Sequence, residues 1–62
     1  MLVYNLYLAL NDESIEIYDE ERRMVLFEGI SNAIPFKLMN RHVHNLSIKR
    51  IRGFNYLLIV VN

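Results

Sequence analysis

A chain of 62 residues with no cysteine is one domain at most, and disulfides and thiolate metal sites are excluded. Its composition, 53% hydrophobic and 23% charged with two glycines and one proline, excludes a disordered or low-complexity segment. The formal charge is zero but divided: all seven acids precede Gly29, where two arginines leave −5, and the five remaining cations give the rest of the chain +5.

So short a chain buries only about 60% of its unfolded surface, and such cores are marginal. Small domains usually add a disulfide, a metal or a second copy of themselves. With cysteine absent, a homodimer is the expected remedy. The longest unbroken apolar run, Tyr56 to Val61, is far below the roughly 18 residues of a membrane span. "MLVYNLYLAL" lacks a basic leader and a small-residue cleavage site, so neither a signal peptide nor a membrane segment is expected. A soluble, intracellular protein is the expectation.

In chain order, "LVYNLYLAL" fits two periods. As a helix it places Val3, Leu6, Tyr7 and Leu10 on one face; as a strand it alternates. Leucine and alanine favour the helix, tyrosine and valine the strand. "NDES" ends the segment. "SIEIYDEERRMVLFEG" then reads as a hairpin with its turn over Asp19–Arg22. Tyr18 would pair with Arg23, Ile17 with Met24 and Ile15 with Leu26. Ile15, Ile17, Met24 and Leu26 would share a buried face, and Glu16, Tyr18, Arg23, Val25 and Phe27 the other.

"SNAIPFKLMNR" suits a short helix. Ser31 or Asn32 would cap it, Pro35 would sit in its first turn, and Ile34, Leu38 and Met39 would face the core. "HNLSIKRIR" and "NYLLIVVN" flank Gly53–Phe54 as a second hairpin with a type II′ turn, pairing Ile51 with Tyr56 and Ile48 with Ile59. Leu46, Ile48, Ile59 and Val61 would share one face; Ser47, Lys49, Leu58 and Val60 the other. The predicted fold is α+β, a compact α-β-β-α-β-β domain over residues 1–62 with two antiparallel hairpins and short helices packed on the sheet. The last strand is apolar on both faces, as covered strands are. Either the two helices take opposite faces, or a second copy or another partner covers one through Val25, Phe27, Leu58 and Val60.

"IEIYDEERRMVLFEG", "AIPFKLMNRHV" and "LLIVV" together resemble a group of small uncharacterised proteins of bacteriophages and mobile elements of Gram-positive bacteria. Ile15, Ile17, Asp19, Phe27, Glu28, Gly29, Ile34, Pro35, Leu38, Val43 and Ile59 carry the resemblance, which spans most of the chain. It implies a phage-type context, the cytoplasm of a bacterial host and an α+β fold, and brings no assigned activity. "RHVHNLSIKRIRG" departs from the pattern.

No constellation points to catalysis. Asp19, Glu20 and Glu21 lack the spacing of a calcium loop and adjoin Arg22 and Arg23, so a solvated hairpin tip is expected. Glu28 lacks the second polar group a general acid or base needs, and pairing with the basic hairpin suits it better. His42 and His44, two apart, would share a strand face, but zinc needs a third protein ligand. Ser14, Ser31 and Ser47 lie in no Ser-His-acid context, and no glycine-rich phosphate loop occurs. Neither cofactor nor metal is expected. The strongest binding feature is the stretch Arg41, His42, His44, Lys49, Arg50, Arg52 with Phe54 and Tyr56 beside it. It fits an acidic protein surface, or a nucleic-acid backbone with stacked bases. The expectation is a non-enzymatic interaction protein that binds a host or phage protein, a defence factor among the candidates, with accessory nucleic-acid binding as the alternative.

Overall fold

The computed structural model describes residues 1–62. In chain order they form helix α1 (Val3–Ala9), strands β1 (Ser14–Asp19) and β2 (Met24–Ile30), two 3-10 turns (Ser31–Ala33 and Phe36–Leu38), and strands β3 (Val43–Ile51) and β4 (Phe54–Val61). The architecture is α+β: one helix on a four-stranded mixed sheet of order β2-β1-β4-β3, with β1 and β4 parallel at the centre.

α1 settles the ambiguity at the N-terminus in favour of the helix. Val3 and Leu6 are buried, while Tyr7 and Leu10 pack against the core, the stripe that a 3.6-residue period predicts. Asn5 accepts the Leu2 amide at 2.8 Å, satisfying one donor at the helix start.

The first hairpin corrects the predicted register. Asp19 precedes the turn instead of opening it: its Oδ1 accepts the Glu21 and Arg22 amides at 3.0 Å each, so residues 20–23 make the turn and Asp19 faces Met24. A bulge then adds a residue to β2 at Leu26, so Tyr18 pairs with Val25 but Ile17 with Phe27. The bulge moves Phe27 to the face of Ile15 and Ile17, opposite to the expected placement. There its ring overlies Gly29, where a Cβ would come within 3.0 Å of it. A side chain here would push the tip of that ring aside by a few tenths of an ångström.

The expected second helix is instead the two 3-10 turns. Ile34, preceding proline, is extended at ψ 127°, and Pro35 at ψ 138°, which stops any helix from running through them. Ile34 and Leu38 are buried as predicted. Ser31 caps no helix; its Oγ accepts the Glu13 amide at 3.1 Å, and its amide donates to the Glu13 carbonyl at 2.8 Å.

The second hairpin turns on Arg52–Gly53, with Ile51 opposite Phe54. Both turn residues have positive φ, 51° and 83°, so the turn is type I′ and not the expected type II′. The register shifts by two, Leu46 pairing with Ile59 and Ile48 with Leu57. A shift of two preserves the faces, so the alternating pattern could not distinguish the two pairings.

Val3, Leu6, Ile15, Ile17, Ile34, Leu38, Ile59 and Val61 form one core cluster. Because Ile15, Ile17, Ile59 and Val61 share a face of the sheet, α1 and the residue 31–42 connection cover the same side. The arrangement with a helix on each face is therefore ruled out.

Three substitutions test this packing. Ile17→Ala is expected to cost about 2–5 kcal/mol, much of the roughly 3–9 kcal/mol available to a chain of this length, whereas Phe36→Ala, at 91% exposure, should stay within about 0.5 kcal/mol. Arg52→Asn, easing a side chain out of a strained left-handed conformation, should gain about 0.5–1 kcal/mol. Urea denaturation measures all three.

Candidate functional site

The sheet face opposite α1 has no covering element. β1 contributes Ser14, Glu16 and Tyr18 to it, β2 Val25, Glu28 and Ile30, β4 Phe54, Tyr56, Leu58 and Val60, and β3 Ser47, Lys49 and Ile51. The alternation of the strands places these side chains together. Val25 is 48% exposed, Ile30 49% and Phe54 68%. Three of the four residues expected at a partner face (Val25, Leu58, Val60) lie here. Phe27 lies on the covered face, and Ile30 and Ile51, which were not anticipated, take part. Ile51 follows the alternation already read for Ser47 and Lys49, whereas Ile30, an odd number of residues from Val25, reaches this face only because of the bulge at Leu26.

One ion pair crosses this face. Lys49 Nζ lies 3.2 Å from Glu16 Oε1 and donates also to Oε2 at 3.3 Å, spanning from β3 over β4 to β1. Glu16 is buried and Lys49 half-buried. Glu28 sits directly across from Glu16 in the strand register and forms no ion pair, contrary to the expected link with the basic hairpin.

The basic segment divides into three groups. Arg41 is structural. Its Nη2 meets Asp19 Oδ2 at 2.8 Å and its Nε donates to the Asn62 carbonyl at 3.1 Å. Asp19 is 1% exposed, so the expected solvated tip holds for Glu20 and Glu21 but not for it. The Arg41 guanidinium first, then the Arg22 and Glu21 amides, hold the Asp19 carboxyl below its ordinary value of 3.8, against the upward push of burial. Lys49 and His44 form the second group, each drawn to the acidic hairpin. His44 Nε2 lies 3.4 Å from Glu20 Oε2, an exposed contact of small energetic weight. Arg50 and Arg52 form the third, with no carboxylate within 4.0 Å. Phe54 and Tyr56 lie on the open face, while Arg50 alternates to the opposite one.

The −5/+5 division is thus partly joined inside the molecule: both Lys/Arg–carboxylate pairs, Arg41 with Asp19 and Lys49 with Glu16, run from the acidic half to the basic half. His42 lies outside β3, bridged to Leu2, and the Val43–Asn45 bulge follows it. No group of three or more His, Cys, Asp or Glu side chains is placed to hold a metal ion, and no pocket opens in the surface. No helix is long and apolar enough to cross a membrane.

No protein-family model, curated protein or solved structure matches the chain.

The Asp19–Arg41 pair generates a pH dependence. A depressed carboxyl pKa contributes stability that is complete above the unfolded value and is lost as pH falls through the folded one. Asp19→Asn would set an amide donor against the guanidinium. The wild-type advantage in thermal midpoint over Asp19→Asn should be constant above about pH 5 and shrink below pH 3.8, as followed by circular dichroism.

Proposed function

We propose that this chain is a small non-enzymatic interaction protein, of phage or mobile-element type, that acts in the host cytoplasm by binding a host or phage protein through the open sheet face. The observation that carries the proposal is the concentration of Val25, Ile30, Ile51, Phe54, Leu58 and Val60 on a face that no element of the chain covers. Scattered exposed apolar residues are ordinary; here they gather on one face around the Glu16–Lys49 pair, and apolar surface rimmed by polar residues marks an interaction surface. The patch carries Phe54 and Tyr56, and aromatic residues are enriched at such interfaces. The Glu16–Lys49 pair is already formed in the free protein, which lessens the polar cost of covering it.

The second function, accessory nucleic-acid binding, is supported by one observation. Arg50 and Arg52 have no acidic partner, and Phe54, next to the Arg52–Gly53 turn, is exposed. Two unpaired cations in this hairpin, in a chain of zero net charge, make a weak footprint for phosphates, so protein binding is preferred.

Affinity capture from host lysate, with and without nuclease, compares the two functions. A captured protein that survives nuclease and is lost with Val25→Lys supports protein binding through the open face. Capture that nuclease abolishes, or that Val25→Lys leaves unchanged, contradicts it. For nucleic acid, a mobility shift at low salt that weakens with Arg50→Ala and Arg52→Ala is the expected signature.

A further inference from the structure

We infer that two copies of this chain join antiparallel through the free edge of β3, making one continuous eight-stranded sheet. β3 is nine residues long, contains no proline, and pairs on one side only. The two-residue turn makes Ile51 and Phe54 the closing pair, so Ser47, Lys49 and Ile51 bond to β4 while Leu46, Ile48 and Arg50 aim their backbone groups outward. The Leu46 amide shows this directly. It donates not to the ladder but to the side chain of neighbouring Asn45, at 2.9 Å. A long strand with unpaired backbone groups is a template for another strand.

The usual guards against pairing are weak here. An edge lysine normally holds its charge in the path of an incoming strand, but Lys49 is turned across the sheet to Glu16. Ile48, 69% exposed, and Leu46 stand beside the edge on the helix side, with no element over them. The opposite edge, β2, is interrupted in mid-strand by its bulge at Leu26, whereas the bulge of β3 lies at its start, between Val43 and Asn45, and leaves Leu46 to Ile51 in regular register.

The occupant is a second copy because the strand is self-complementary about Ser47. A two-fold axis there puts Leu46 opposite Ile48 of the partner subunit twice, gathering four exposed apolar side chains. Lys49 falls opposite Asn45 of the partner subunit, and the outward backbone groups of Leu46 and Ile48 meet in register once the Asn45 side chain releases the Leu46 amide to the incoming strand. The two Arg50 side chains end six residues apart along the strands, about 20 Å, beyond the screening length at physiological salt. The two-fold closes the pairing at two copies, whereas β2-to-β3 pairing would continue as an open filament. The need is also on the molecule: the single-chain core has eight apolar side chains and no disulfide. The open faces of both copies remain free and become one platform, so this dimer and target binding are independent of each other.

An interface of this size is small, and its dimer is expected to form in about the micromolar range. Sedimentation from about 1 µM to 1 mM should therefore show a monomer–dimer equilibrium. Since the chain has no cysteine, Ser47→Cys supplies a single thiol beside its own symmetry mate, and mild oxidation should link it rapidly. Leu58→Cys, in the middle of the open face, should not link. Ile48→Pro removes an outward amide that an edge strand does not need, so it should stay folded by circular dichroism and sediment as a monomer. A wild-type monomer at about 1 mM, or linking at Leu58→Cys with none at Ser47→Cys, would overturn the edge dimer. A folded Ile48→Pro protein that still dimerises would also overturn it. If Ile48→Pro unfolds, the two thiol variants decide.

Discussion

The parallel pairing of β1 with β4 is the constraint on which the rest of the molecule depends. With each central strand in a tight hairpin, β2 and β3 are forced to opposite edges, and the chain must travel from one edge to the other. It does so in the twelve residues between Ile30 and Val43, across three strand spacings or about 14 Å. Such a connection can run over only one face. It carries Ile34 and Leu38 down onto Ile15, Ile17, Ile59 and Val61, which makes that face the core. α1 joins the same side because it is tied to the connection: the Val3 amide donates to the Arg41 carbonyl at 3.0 Å and the Tyr4 amide to the Met39 carbonyl at 2.9 Å. The open face is therefore a consequence of topology, not of a missing apolar pattern.

Electrostatics secures the same topology. Asp19 ends β1 and Arg41 ends the connection, and their contact fixes the turn after β1, the start of β3 and the final residue to one another. Lys49 to Glu16 ties the outer strand β3 to β1 over the top of β4. The separation of acids and bases along the chain thus specifies which hairpin lies beside which. Within the basic second hairpin, Arg50 and Arg52 are the cations without a carboxylate partner.

Much of this was legible in the sequence. The two hairpins and the burial of Ile34 and Leu38 follow from periodicity, which reports faces well; at residues 2–10 two periods fitted, and the stripe of Val3, Leu6, Tyr7 and Leu10 is the helical one. Periodicity does not report register or handedness of pairing. Leu46 opposite Val61 and Leu46 opposite Ile59 satisfy the same alternation, and only the left-handed backbone of Arg52 decides between them. The bulge at Leu26, which moved Phe27 from the open face to the core, has no composition signal apart from the glycine two residues beyond it. Asp19 looked like one acid among three because sequence cannot show that its oxygens meet two amides and a guanidinium. That both covering elements share one side was beyond reach for the same reason: each presents an apolar stripe, and a stripe does not say which face it meets.

The central claim is a sheet with one face covered and one face open. Solvent paramagnetic relaxation of methyl resonances tests it most directly, using a soluble gadolinium chelate. Methyls of Val25, Leu58 and Val60 should relax more than those of Ile15, Ile17 and Ile59, and NOE contacts from α1 should reach only the second set. Equal protection of both sets, or contacts from α1 to Leu58 or Val60, would contradict the account.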